Sequence, residues 1–364
     1  MFKHNPDVHG IKLKDWHERN TTDSAIASLR IALKSYFETY SVIHRYSMSL
    51  TQPFEGNNRK WELNAAEDLE YQEKYMQTIF HFHHFIELVT KDVLRMENPL
   101  YAMKINTDDL ETIKKIQTGE QLEDTTHSIE FTSAIKRVTS LKGIDPPLSL
   151  TELFNKEGVK KNSLDVLNQL RNQAWHRGIY VLTYSELDQF IIGNILPLVY
   201  EIINTTQYKG ILDLIFLYKK PLFGELDIIQ SLVRLSGEED INYSKIAFYK
   251  AVGLVCLNYR KPHRTTRLHG VISTIKAEAM VSGSFHNADE RRKCMVCGEE
   301  SLILFKEGDY APDEDDGEIT EWEYIYKAEC QECGLLLYND VGEPESYGVK
   351  SPKLWSEWSR TYSL

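Results

Sequence analysis

The segment Cys294-Met295-Val296-Cys297-Gly298 recurs, with 32 residues between Cys297 and Cys330, as Cys330-Gln331-Glu332-Cys333-Gly334, and no other feature restricts the fold of this 364-residue chain so tightly. Two sulfurs three positions apart, with a glycine after them to allow a tight turn, can aim at one ion; two such turns supply four thiolates. Four thiolates suit tetrahedral Zn²⁺ in a closed structural site with no open coordination position, and redox activity is the weaker reading. Between the pairs, Leu302 to Lys306 and Trp322 to Lys327 read as strands around an acidic loop, Asp309 to Glu318, and Leu335 to Tyr338 reads as a third strand. The fifth cysteine, Cys256, lies in Val252-Gly253-Leu254-Val255-Cys256-Leu257 and reads as a small buried hydrophobe. Two matched pairs and one single cysteine fit a reducing cytosol with a metal site better than a disulfide framework.

Upstream, apolar residues recur at three- and four-residue spacing, so the chain is expected to be mainly α. Ile26, Leu29, Leu33, Phe37, Tyr40 and Ile43 mark a first helix opening at Thr22 or Asp23, and a second runs from about Ala65 to Met96, ending before Pro99. Residues 98–161, with Gly119, Gly143 and Pro146-Pro147, read as an insertion holding short helices such as Ser128 to Leu141. A third long helix starts at Asn162 or Ser163, buries Leu164, Leu167, Leu170 and Ala174, and stops at Gly178. A fourth opens at Ser185-Glu186-Leu187-Asp188 and reaches about Asn204 with a kink at Pro197. These four make one bundle. Helical patterns over Ile211 to Tyr218, Gly224 to Leu235, Tyr243 to Asn258 and Thr265 to Met280 form a second small all-α domain.

Off the buried stripe of the third helix, Arg171-Asn172-Gln173-Ala174-Trp175-His176-Arg177-Gly178 brings together a permanent cation, an amide and an imidazole. Near a helix C-terminus the dipole favours imidazolium, so His176 can hold or exchange a proton near neutral pH, which suits phosphate-ester chemistry. Arg171-Asn172-x-x-x-His176 resembles the R-x(4–6)-H motif of the HEPN superfamily, and Phe80 to Leu94, with Glu87-Leu88-x-x-Lys91, is similar to an earlier helix of that family's bundle. The resemblance spans residues 23–206. It implies a HEPN-like bundle that dimerises to set two motifs in one cleft, and a metal-independent endoribonuclease, either a toxin or an antiviral defence effector. It further implies that Arg171 and His176 are catalytic, that Asn172 orients them or contacts phosphate, and that Glu87 faces the motif helix and supports Arg171. Read from the residues alone, Arg171 is a surface arginine, His176 caps its own helix, Asn172 is solvated, and Glu87 with Lys91 is an i, i+4 surface pair. The long 98–161 insertion departs from the family pattern. So does Tyr180, four places after His176, because the tyrosine that an antitoxin enzyme modifies in some members follows the histidine by two.

Net charge of −12 excludes a nucleic-acid binder working through bulk positive charge, so any RNA contact must be local. Arg177, Arg264 and Arg267 are the candidate RNA contacts, the last two within a basic stretch from Arg260 to Lys293 whose plainer reading is a solvated helix face. His81 and His84 share one helix face and His83 another, so these read as a packed core edge rather than a metal site. Met1-Phe2-Lys3-His4-Asn5-Pro6 lacks the layout of a secretory signal, and Phe190 to Ile203 is too short and too interrupted to cross a bilayer, so a cytoplasmic protein is expected. The organisation expected is an N-terminal extension (1–22), a helical bundle (23–206, insertion 98–161), a helical linking domain (207–290), a segment resembling a zinc ribbon with Cys294, Cys297, Cys330 and Cys333 as ligands (291–345), and a tail (346–364). Zinc is expected as a structural ion, with no cofactor for catalysis. The expected partners are RNA, a second copy of the chain, and an antitoxin or regulatory protein. The alternative is a non-catalytic binding or regulatory protein that docks to nucleic acid or protein.

Overall fold

The computed structural model describes residues 24–47, 60–104, 110–118, 128–141, 159–176, 180–205, 208–216, 226–238, 241–259, 267–283, 287–312, 318–351, 353–355 and 357–363. They are mainly helical, with a small antiparallel sheet at the C-terminal end. The helices are α1 (Ser24–Ser47), α2 (Lys60–Glu67), α3 (Leu69–Glu97), α4 (Leu110–Thr118), α5 (Phe131–Ser140), α6 (Val159–His176), α7 (Tyr184–Phe190), α8 (Leu196–Thr205), α9 (Leu212–Ile215), α10 (Ile228–Leu235), α11 (Tyr243–Asn258) and α12 (Arg267–Ser282). The strands are β1 (Ala288–Arg292), β2 (Leu302–Pro312), β3 (Glu318–Cys330), β4 (Leu336–Tyr338) and β5 (Glu357–Ser363). The chain forms two compact units, residues 1–32, 78–178 and 201–214 in the first and residues 33–77, 179–200 and 215–364 in the second, so α1, α3 and α8 each contribute to both. No helix among the described residues is long and apolar enough to cross a membrane.

In the first unit the apolar stripes of α3 and α6 are buried as the periodicity requires: Phe82, Phe85, Ile86 and Val89 on one, Leu164, Leu167, Leu170 and Ala174 on the other. The motif helix α6 begins at Val159, directly after Gly158, rather than at Asn162 or Ser163, and Ser163 lies buried within it. Within the expected insertion, Arg137 of α5 donates from Nη1 to the carbonyls of Tyr101 (2.7 Å) and Met103 (2.9 Å) and so holds the 3₁₀ turn Pro99–Ala102 to its own helix.

In the second unit, the expected single helix from Ala65 to Met96 breaks at Asp68. Its carboxylate accepts from Glu70 N–H at 2.7 Å and caps α3, which separates α3 from α2. The next helix starts from Thr183, whose N–H donates to Glu186 Oε2 at 3.0 Å in a capping box; Ser185, the expected start, instead donates its hydroxyl to Glu62 Oε2 at 2.7 Å. Pro197, the expected kink position, is the second residue of α8. The strain of its missing N–H and bulky ring falls on the preceding turn, Ile191–Ile195, which winds as a π-helix. Helix α11 is buried on nearly every side, and at Gly253 an added Cβ would lie 2.5 Å from the Phe37 ring, so glycine admits α1 to close contact. Lys250, fully buried in α11, pairs with Asp188 Oδ1 and donates to Thr39 Oγ1 at 2.9 Å, while Tyr36 OH donates to Asp188 Oδ1 at 2.8 Å.

The sheet order is β1-β2-β3-β4, all antiparallel, with β5 sharing the β4 edge of β3. The β2–β3 hairpin extends from Leu302↔Cys330 to Pro312↔Ile319, so much of the expected acidic loop is strand; residues 313–317 lie outside the described residues. Two strands go beyond the three expected. β1 pairs with β2, and β5 lies in the expected tail, where Trp358 and Tyr362 are four apart on a short alternating run. Ala277 of α12 packs with Ala288, Ile303 and Phe305 beneath β1 and β2.

Candidate metal centre and candidate active site

The two cysteine turns are built alike. Gly298 N–H donates to Cys294 O (2.9 Å) and Gly334 N–H to Cys330 O (3.0 Å), while Cys294 N–H and Cys330 N–H each donate at 2.8 Å to the carbonyls of Glu299 and Leu335. Gly298 and Gly334 have φ of 81° and 73°, a left-handed conformation that glycine adopts without steric penalty. The result is four buried thiols whose sulfurs all lie within 4.8 Å of one another. Cys294 Sγ to Cys333 Sγ is 3.8 Å and Cys297 Sγ to Cys330 Sγ is 3.7 Å. A tetrahedron with Zn–S bonds of about 2.3 Å has S···S edges of about 3.8 Å, which these two separations match, so the donor set is compatible with one zinc ion. Val296 N–H points at Cys294 Sγ (3.4 Å), Cys333 N–H at Cys330 Sγ (3.5 Å), and the Ser301 hydroxyl lies 3.3 Å from Cys330 Sγ, contacts that offset thiolate charge and fix sulfur orientation. Among the described residues this is the one cluster of three or more histidine, cysteine or acidic side chains that could hold a metal. Cys256 is separate from it, buried, with its thiol pushed up to about 12 by burial.

Arg171 and Asn172 sit on α6 in the first unit, both half-buried, with Arg171 Nη1 donating to Asn172 Oδ1 at 2.9 Å. One turn further on, the indole of Trp175 lies 5.8 Å below the guanidinium and meets Phe80 of α3 edge-on at 5.6 Å, yet Trp175 remains 65% exposed. One turn earlier, Asn168 Oδ1 accepts from His83 Nε2 of α3 at 3.1 Å. The Phe80–Trp175 and His83–Asn168 contacts run in opposite directions along the two helices, which are therefore antiparallel. Burial lowers the His83 pKa first and Arg171 lowers it further, against the raising effects of Asn168 and Glu87, so the ring is held neutral. Glu87 accepts from Lys91 Nζ and stands 3.7 Å from His83 Nδ1. The carboxylate expected to support Arg171 is thus engaged along its own helix, and the described partners of Arg171 are Asn172 and Trp175. His81 and His84 differ in environment: His84 Nδ1 is 2.8 Å from Ser28 Oγ, and burial lowers the His81 pKa.

His176 is the last residue of α6 and Arg267 the first of α12, with both side chains outside the described set; Arg177, Gly178 and Arg264 lie outside the described residues altogether. Of the remaining basic stretch, Arg291 bonds Thr274 O and Glu278, and Arg292 bonds Lys353 O and Glu290, so both serve local structure. Sequence reasoning missed Asn168 and Trp175, although both lie one turn from Arg171, at i−3 and i+4, where helix geometry puts neighbours on one face. No protein-family model, curated protein or solved structure matches this chain.

Proposed function

We propose that the chain is a metal-independent endoribonuclease of HEPN type, a homodimer acting as a toxin or antiviral effector, with its bundle followed by a small all-α domain and a structural zinc ribbon. Arg171 carries the reading: a partly exposed guanidinium, braced by Asn172 and Trp175, that no carboxylate among the described residues neutralises. A planar, permanently charged fork of that kind can bind two non-bridging oxygens of one phosphate. The ribose 2′-oxygen attacks the adjacent phosphorus, His176 of one subunit takes the hydroxyl proton, and the P–O5′ bond breaks as His176 of the other protonates the leaving oxygen. Arg171 stabilises the charge that builds on the non-bridging oxygens. The products carry a 2′,3′-cyclic phosphate and a 5′-hydroxyl. Exposed Trp175 supplies an aromatic face on which an unpaired base can stack. Four thiolates around zinc would close the ribbon, an ion whose chemistry there is structural.

Incubating wild-type, Arg171→Ala and His176→Ala protein with total cellular RNA, in chelator too mild to strip the cysteine site, and mapping the ends tests this. Cleavage by wild type alone, leaving cyclic phosphates, supports the reading, and equal cleavage by all three proteins overturns it. The four-cysteine cluster favours a second reading, a non-catalytic docking protein, which predicts no cleavage by any of the three.

A further inference from the structure

Within the second unit, a cavity of about 320 Å³ opens between α1, α11 and the second cysteine turn with β4. Phe37, Tyr40 and Val255 are buried at its floor, while Ser41, Asn258 and Gly334 are exposed at its mouth. Its aromatic walls are held in place from behind. Asp340 accepts from Tyr40 OH at 2.7 Å through Oδ1 and lies 3.3 Å from His44 Nδ1 through Oδ2, and the His44 ring stacks on Tyr338 at an interplanar angle of 11°. One buried carboxylate therefore fixes both tyrosine walls, so a ligand does not have to order them on entry.

The lining also restricts what fits. Among the described residues no lysine, arginine, aspartate or glutamate lines the cavity, so none of them compensates a charged ligand. Cys333 is part of the wall, and four thiolates holding one divalent ion would leave two negative charges beside it, which would disfavour anions. Phe37, Tyr40 and Tyr338 suit a flat ring, and the Asn258 carboxamide at the mouth offers a donor and an acceptor side by side. The volume lies at the small end of ligand pockets, the size of one heterocycle rather than a nucleotide. We propose that this cavity is a binding site for an uncharged planar nitrogen heterocycle of nucleobase size that presents an amide-like edge to Asn258. The site stands apart from the ribonuclease reading and does not depend on it.

Ligand-observed NMR on the full-length zinc-loaded protein, with adenine, uracil, indole and adenosine monophosphate as separate probes, tests the proposal. Adenine or uracil should bind saturably, adenosine monophosphate at least tenfold more weakly, and Asn258→Ala at the exposed mouth should weaken the base at least fivefold while leaving the melting temperature unchanged. Leu254→Trp, which fills the cavity, should abolish binding. Failure of both bases to bind wild type, binding of indole alone, or undiminished base binding by Asn258→Ala would each overturn it; should Leu254→Trp not fold, the Asn258 and monophosphate comparisons still decide.

Discussion

At Arg171 two kinds of contact converge, a hydrogen bond donated to Asn172 and a stacking partner in Trp175, and each makes a separate prediction. If the guanidinium acts as a bidentate fork, Arg171→Lys keeps the charge but loses the fork, and kcat/KM for a single-stranded oligoribonucleotide should fall nearly as far as in Arg171→Ala, by roughly 10²-fold or more. If the lysine variant keeps most of the activity, Arg171 acts as a point charge only. Trp175→Ala should weaken binding of an uncleavable 2′-O-methyl oligonucleotide by about 5- to 100-fold, with Trp175→Phe between it and wild type, as measured by fluorescence anisotropy. The four-cysteine cluster was legible because its spacing along the chain is itself the signal. Asn168 and His83 were not, because they meet across two helices from positions 85 residues apart, and helical periodicity reports only that one face is buried. Lys250 is a sharper case: a lysine inside an apolar helix reads as a solvent-facing residue, yet its partners Asp188 and Thr39 come from two other helices.

Among the elements, the α3–α6 pair joins a neutral histidine to the motif helix, and that gives a pH signature. His83 has its pKa lowered from the ordinary 6.5, so the unfolded chain takes up this proton at a higher pH than the folded one. Its contribution to stability is full above about pH 6.5 and is lost as pH falls from there through the lower folded value, with a slope of up to about 1.4 kcal/mol per pH unit. His83→Gln should flatten that stretch of a stability-against-pH curve from chemical denaturation, and an unchanged curve would show that His83 does not titrate with folding. The α1–α11 contact offers a second test. Gly253→Ala drives a methyl to 2.5 Å from the Phe37 ring and should cost about 1–3 kcal/mol, whereas pairing it with Phe37→Leu should recover much of the loss by making room. Helix positions were legible to within a turn at most ends because caps and glycines mark them. The π turn before Pro197 was not, since proline alone does not say whether a helix kinks or winds wider.

For the molecule as a whole, the cysteine centre and the net charge set the terms. Four buried thiols converge on one point, so a metal bound there would contribute folding free energy outright; Cys297→Ser or a strong chelator should then release one zinc per chain and lower the melting temperature, read by a zinc-binding dye alongside the thermal scan. Charge makes a different demand. A chain at −12 repels a polyanion at long range, so the proposed RNA contact would have to come from a few unneutralised cations, of which Arg171 is one among the described residues. Each phosphate neutralised on a single strand contributes about −0.7 to the slope of log affinity against log salt. Two copies of Arg171 with one or two further cations therefore predict a slope of about −2 to −3, shallow beside a basic-surface binder, and Arg171→Ala should remove about 0.7 per site. Such a slope, measured with an uncleavable single strand between 50 and 300 mM salt, would tie affinity to the motif. A steep slope indifferent to Arg171 would move the RNA contact elsewhere, and first to the basic run that begins at Arg260.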